Sequence, residues 1–216
     1  MRVAIAGGHG KIALRLTRLL ADQGMDEAGV VSLIRDPDHA EDVREAGGEP
    51  VVCDLESASE ERVARAIGDS DAVVFAAGAG PGSGPERKET MDYGGAVKLI
   101  AAAKAAGIRR YVMVSAMSAD PDAEGEGFAV YLRAKGRADA ELAASGLDYT
   151  IVRPGGLTDD PGTGLVKIAE RTGRGDVPRD DVAAVLAAVL QTPETAGKSF
   201  DLVSGETPVE EAVAAL

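Results

Sequence analysis

The sequence predicts a three-layer α/β domain, a doubly wound parallel sheet with helices on both faces, and three observations carry that prediction. Short apolar or β-branched runs alternate with helical patterns along most of the 216 residues. The first run turns on glycines straight into a helix. No linker long enough to separate two domains and no repeat of fixed period breaks the alternation, so a single domain over 1–216 is expected. Strands joined through helices in this way pair in parallel.

The elements follow in order. Val3-Ala4-Ile5-Ala6 lies in a strand expected over 2–6, and a helix over 11–23 is closed by Gly24. Val30-Val31-Ser32-Leu33-Ile34 makes a second strand, followed by Arg35-Asp36-Pro37 and a charged helix ending at Gly47-Gly48. Val51-Val52 begins a third strand that stops at Cys53-Asp54, and a polar helix spans 59–67. Ala72 to Gly78 is a fourth strand. The stretch 78–85, four glycines with Pro81 and Pro85 among them, is the richest in breakers and follows that strand's carboxyl end. Open α/β sheets bind ligands at this edge, so the stretch reads either as a loop over a ligand or as a plain surface loop.

A long helix is expected over 87–106, a fifth strand over 109–115, an acidic loop over 119–127, and then a helix carrying Tyr131 and Lys135. A sixth strand over 147–152 is interrupted by Arg153-Pro154-Gly155-Gly156. Beyond Pro161 a short strand at 165–169, a helix at 180–190, a strand at 199–203 and a terminal helix at 209–216 form a small substrate-side extension of the same core.

Composition narrows the function classes. Hydrophobic residues at 45% suffice for one sizeable core. Lys and Arg total 23 against 36 Asp and Glu, a net charge of −13, which disfavours a surface that neutralises nucleic-acid phosphates. The lone Cys53 forms no internal disulfide, and no Cys/His cluster has metal-ligand spacing. The opening apolar run is too short for a signal segment or a membrane span. The expectation is a cytoplasmic protein with a small-molecule substrate. The helical stretches at 87–106 and 128–145 either pair two copies as a homodimer or face water.

The glycine turn is Gly7-Gly8-His9-Gly10-Lys11-Ile12-Ala13. Two spacings fit, Gly7-x-x-Gly10-x-x-Ala13 and Gly8-x-Gly10-x-x-Ala13. Either gives a tight turn, a backbone that approaches phosphate oxygens, and a small residue where helix meets strand. Such turns also serve purely structural ends; here it follows a strand and opens a helix, which favours a dinucleotide. An acidic residue at the end of the second strand accepts from a ribose 2′-hydroxyl, whereas an arginine suits a 2′-phosphate. Arg35 stands there, so NADP(H) is preferred to NAD(H), although Arg35-Asp36-Pro37 is also a good helix start. His9 and Lys11 either add to the phosphate site or are merely exposed. Asp54 either faces the adenine or caps the next helix.

Tyr131 and Lys135 are four apart on a helix and share a face. A nearby cation lowers a phenol's pKa from about 10, and such a pair suits protonation of a carbonyl oxygen as hydride arrives at carbon. The plain alternative is an amphipathic helix with one aromatic at the core edge. Ser115-Ala116-Met117-Ser118, at the end of the fifth strand, offers two hydroxyls to polarise a substrate carbonyl.

With these residues the chain resembles the atypical short-chain dehydrogenase/reductases of the Rossmann type, the group that includes flavin- and biliverdin-reductase-like proteins. The resemblance covers nearly the whole length. Besides the glycine turn it rests on Asp92-Tyr93, on Lys104 to Ile108, on Tyr111 to Ser115, on Tyr131-x-x-x-Lys135 and above all on Ser145 to Gly155. It implies that Gly7, Gly8, Gly10 and the Lys11-Ile12-Ala13 turn hold the pyrophosphate and that Arg35 meets the 2′-phosphate. By the same resemblance Asp54 and Leu55 meet the adenine, Ala76, Ala77 and Gly78 wall the ribose, and Pro154, Gly155, Gly156 and Leu157 border the nicotinamide. Lys135 binds its ribose, Tyr131 donates the proton and Ser115 assists. The function implied is hydride transfer from NADPH to a small carbonyl, quinone or flavin-like acceptor. Two alternatives remain: a non-catalytic NADP(H)-binding redox sensor, which needs only the glycine turn and Arg35, and a nucleotide-sugar epimerase or dehydratase, which has little chain here from which to build a sugar lobe.

Overall fold

The structure, a computed structural model, describes residues 1–25, 29–80 and 82–216. Its centre is β1 (Val3–Ala6), which is wholly buried because it lies between β2 (Val30–Ile34) and β4 (Ala72–Phe75) with helices on both faces. The two-residue period of a strand divides it between two cores. Val3 and Ile5 pack with Leu16 and Leu20 of α1 (Lys11–Asp22), whereas Ala4 and Ala6 pack in the opposite layer with Val73 and Phe75.

The remaining parallel strands are β3 (Glu49–Val52), β5 (Arg110–Val114), β6 (Asp148–Pro154) and β10 (Lys198–Ser204), giving the order β3-β2-β1-β4-β5-β6-β10. The order reverses at β1, and ligands of open α/β sheets bind outside the carboxyl ends at that point. Two helices, α1 and α7 (Arg179–Gln191), pack on one face; α3 (Glu60–Ile67), α5 (Gly94–Ala105) and α6 (Phe128–Ala144) cover the other. A short 3₁₀ turn (Pro37–His39) and α2 (Ala40–Glu45) follow β2.

The structure departs from the sequence expectation at four places. The helix expected over 87–106 is α4 (Pro85–Arg87), a π-helical turn (Lys88–Tyr93) and α5. The widened turn carries the fully buried Asp92, whose Oδ2 accepts the Ala79 N–H at 3.1 Å. Strand β6 is not interrupted at Arg153 and Pro154 but includes both. Proline is tolerated at its end because only the carbonyl is needed there, accepting the Met117 N–H at 3.0 Å.

The sheet is also not wholly parallel, since β8 (Leu165–Ala169) runs antiparallel to β10, and β11 (Thr207–Pro208) antiparallel to β8. The C-terminal part supplies β8, β10, β11, α7 and α8 (Val209–Ala214) to the main sheet and its core, and only the ribbon of β7 (Gly156–Thr158) with β9 (Asp176–Pro178) forms a sheet of its own. Among the described residues no helix is long and apolar enough to cross a membrane, and no group of three or more His, Cys, Asp or Glu could hold a metal ion.

Candidate functional site

A cleft of about 340 Å³ opens at the carboxyl ends of β1, β2 and β4. It is lined by Gly7, His9 and Gly10 of the first turn, by Leu33, Ile34, Arg35 and His39 after β2, by Ala76, Ala77, Gly78 and Ala79 after β4, and by Arg87 and Met91. Of the glycine-rich stretch 78–85, then, the first two residues face the cleft; Pro81 lies outside the described residues.

The first turn has the shape a pyrophosphate needs. Gly7 has φ +83°, and a Cβ there would lie 2.6 Å from the Ala77 Cα; one on Gly8 would lie 2.5 Å from the Ser32 Cβ. Side chains are excluded at both positions, so at Gly7 backbone alone borders the cleft. The Gly10 N–H closes the turn on the Gly7 carbonyl at 2.8 Å, which selects the Gly7-x-x-Gly10 spacing as the turn itself. Helix α1, like α5 and α6, begins with no side-chain cap and no acidic residue in its first turn, but it starts from Gly10, which lines the cleft. Its first N–H groups are thus left to an anion, and the residues present fit a dinucleotide pyrophosphate.

On the β2 side of the cleft Arg35 is exposed, and its nearest charged partner, Glu56, is 3.9 Å away. The neighbouring Asp36 carboxylate is turned to the Asp38 N–H at 3.0 Å. Hydrogen bonds from Arg87 (2.8 Å) and Thr90 (2.6 Å) occupy Glu56 and hold its pKa below the usual carboxylate range. His9 stacks on His39 with ring centroids 3.6 Å apart.

Several expected cofactor residues are not brought to the cleft by their side chains. Asp54 accepts from the Glu56 N–H and the Ser57 hydroxyl at 3.0 and 2.9 Å, so its carboxylate is spent in its own turn. Leu55 and Ile12 are core residues in opposite layers. Lys11 points outward to Asp159, which also binds Arg179 at 2.9 Å. Pro154 ends β6, Gly156 and Leu157 lie in β7 and Gly155 joins the two strands; none of the four lines the cleft.

The expected catalytic residues cluster at the neighbouring carboxyl ends of β5 and β6. Lys135 is buried on α6, with Nζ 3.4 Å from Asp92 Oδ1 and 3.2 Å from the Val114 carbonyl. Its charge is committed to Asp92, and Nζ is 6.0 Å from the Tyr131 ring centroid. The expected lowering of the Tyr131 pKa does not occur. Burial, then the charges of Asp92 and Asp139, push it well above the usual phenol value. Tyr131 therefore holds its proton throughout the neutral range.

Of the two candidate hydroxyls, Ser118 is exposed, in a left-handed conformation with φ +62°. Ser115 is buried, and its Oγ has no partner at hydrogen-bonding geometry. Ser115 lies beside Asp139, whose Oδ2 accepts from Arg153 Nε at 2.9 Å. Burial raises the Asp139 pKa, and Ser115 and Arg153 counter that rise by stabilising its charged form.

Asp139, Glu56, Arg87 and His39 were not singled out in the sequence, and Asp92 only as part of the Asp92-Tyr93 pair that carries the resemblance. Asp139 had a signal, standing four after Lys135 on the same helix. Arg87 and Glu56 had none, because their pairing spans 31 residues.

Known proteins agree with this geometry. A family described as NAD(P)H-binding matches residues 7–193. A Bacillus subtilis protein carrying the name of an uncharacterised sugar epimerase, YhfK, is 41% identical over 214 residues, 99% of each chain. A Bacillus halodurans structure designated an NAD-dependent epimerase/dehydratase superposes over 100% of both chains with TM-score 0.92 at 38% identity. ChuY of Escherichia coli O157:H7, an anaerobilin reductase by name, superposes with TM-score 0.78 at 27% identity, covering 94% of this chain and 97% of its own.

Proposed function

This chain belongs to the NAD(P)H-binding oxidoreductases as an atypical short-chain dehydrogenase/reductase, and from that premise we propose that it transfers hydride between NADP(H) and a small carbonyl, quinone or flavin-like acceptor. The observation that carries the reading is the placement, at adjoining strand ends, of a turn closed to side chains at Gly7 and Gly8, an exposed Arg35, and a proton-bearing Tyr131 on the helix of the buried Lys135.

Gly7, Gly10 and the start of α1 would hold the pyrophosphate, Ala76 to Gly78 the ribose, and Arg35 the 2′-phosphate. When bound, the nicotinamide supplies a hydride to the acceptor. The chain supplies the proton. The Tyr131 phenol is kept neutral by its surroundings, and it donates to the oxyanion that forms on a carbonyl acceptor, a far stronger base than a phenolate. Ser115, after β5 with an unpartnered Oγ, would orient that oxygen. Lys135 holds Asp92, and through it the Ala79 N–H at the cleft wall, in place. A redox sensor without turnover needs none of this second cluster, which favours the enzyme.

The epimerase names of two relatives define a second reading. Against it stands the use of the C-terminal part, nearly all of which completes the sheet and core and leaves only the β7–β9 ribbon outside.

Tyr131→Phe is expected to lower turnover of carbonyl acceptors by about 10²–10⁴ while leaving the NADPH dissociation constant within about twofold. Steady-state oxidation of NADPH with a panel of carbonyls, quinones and flavins, beside a fluorescence titration of NADPH, checks both. Unchanged turnover of every carbonyl removes Tyr131 from the reaction. Conversion of nucleotide sugars with no NADPH consumption favours the epimerase.

A further inference from the structure

Resting on the NADP(H) reading, we infer that His39 is a second ligand of the cofactor's 2′-phosphate, acting with Arg35 to separate NADP(H) from NAD(H). His39 lines the same cleft as Arg35 and reaches it from the 3₁₀ turn that follows β2. That turn is fixed at its start: the Asp36 carboxylate accepts the Asp38 N–H at 3.0 Å, and the Asp36 carbonyl accepts the His39 N–H at 3.1 Å. These bonds also engage the acidic side chain beside Arg35, which otherwise would face a phosphate.

The imidazole is held by its neighbour. His9, from the glycine turn, stacks flat against it at 3.6 Å with the planes 7° apart, and His9 Nε2 is itself 2.6 Å from Asp42 Oδ2. His39 thus rests on a plate anchored at its far side, which removes ring freedom before any ligand arrives. Neither ring nitrogen of His39 has a hydrogen-bond partner among the described residues. An imidazole presents an N–H even when neutral, so donation to a phosphate oxygen needs no protonation.

The other side chains facing the cleft leave little competition for this role. Arg87 is paired with Glu56 through Nε and NH2 and reaches the Ala79 carbonyl through NH1, and His9 is committed to Asp42. Arg35, 57% exposed and 3.9 Å from Glu56, remains open. Arg35, with no charged group closer than Glu56 at 3.9 Å, and His39, four residues on in the turn that follows β2, therefore face one cleft together. A ribose 2′-hydroxyl gives them no charge to bind, and a 2′-phosphate does.

The test is calorimetric titration of the full chain and of His39→Ala and His39→Gln with NADPH, NADH and adenosine 2′,5′-bisphosphate. His39→Ala is expected to weaken NADPH and the bisphosphate about tenfold and to leave NADH within about twofold. His39→Gln, whose amide still donates, is expected to recover part of the loss. Equal weakening of NADPH and NADH overturns the assignment in favour of an adenine contact, and an unchanged NADPH affinity overturns it outright. In both cases the unaltered protein still binds NADPH more tightly than NADH, so the cofactor reading survives. If the unaltered protein binds neither dinucleotide, both fall.

Discussion

Gly7→Ala is expected to weaken NADPH binding by about a hundredfold or more, some 2.7 kcal/mol. Its Cβ would lie 2.6 Å from the Ala77 Cα and 2.7 Å from the Ala77 N, both backbone atoms that cannot rotate away. The positive φ of +83° adds strain of about 1–3 kcal/mol for a non-glycine residue. Relief requires the β1–α1 turn and the β4 end to move apart, and these are the two walls between which the pyrophosphate and ribose would lie.

Gly24→Ala is the matched control. Gly24 also has a positive φ, +91°, but a Cβ there meets nothing within 4 Å among the described residues, and the site is at the far end of α1. It is expected to cost the conformational strain alone, about 1–3 kcal/mol, and to leave NADPH affinity unchanged. Thermal unfolding without cofactor, beside fluorescence titration with it, separates the two effects. Equal losses of affinity in both variants contradict the role given to the glycine turn.

The second large effect is on stability. Lys135 and Asp92 are 4% and 1% exposed at their side chains and 3.4 Å apart. Removing one partner of such a pair leaves an uncompensated buried charge, at a cost of about 3–5 kcal/mol. Lys135→Met is expected to lose that much in urea unfolding, because Asp92 would keep only the Ala79 N–H at 3.1 Å. The double variant Lys135→Met/Asp92→Asn is expected to recover a large part, since the amide carries no charge. A single-variant loss below about 1 kcal/mol would show that the pair behaves as a surface bridge.

The fold was legible because it rests on local patterns. Each central strand is an apolar run read directly from its residues, and the expected positions of β1, β2, β4 and β8 meet the observed ones to within a few residues. The π-helical turn at Lys88–Tyr93 was not legible, since it accompanies Asp92's bonds to Ala79 and to Lys135, residues distant in sequence. Nor was the antiparallel edge, because nothing in Leu165–Ala169 specifies the direction of its partner.

The site divides in the same way. Glycines and Arg35 declare themselves by their place after a strand, and they line one cleft. Asp54 carries the same kind of signal at the end of β3, yet local turn bonds claim its carboxylate. The Tyr131 and Lys135 spacing correctly implied one helix face, but spacing is blind to a third residue. Asp92 takes the lysine's charge, and with Asp139 and burial it drives the phenol pKa up instead of down.

The most direct test of the account is calorimetric titration of the unaltered protein with NADPH and with NADH. The expected result is saturable binding of one NADPH per chain, about tenfold or more tighter than NADH. Failure to bind either dinucleotide at millimolar concentration contradicts the cofactor cleft, and tighter binding of NADH contradicts the assignment of Arg35 to a 2′-phosphate.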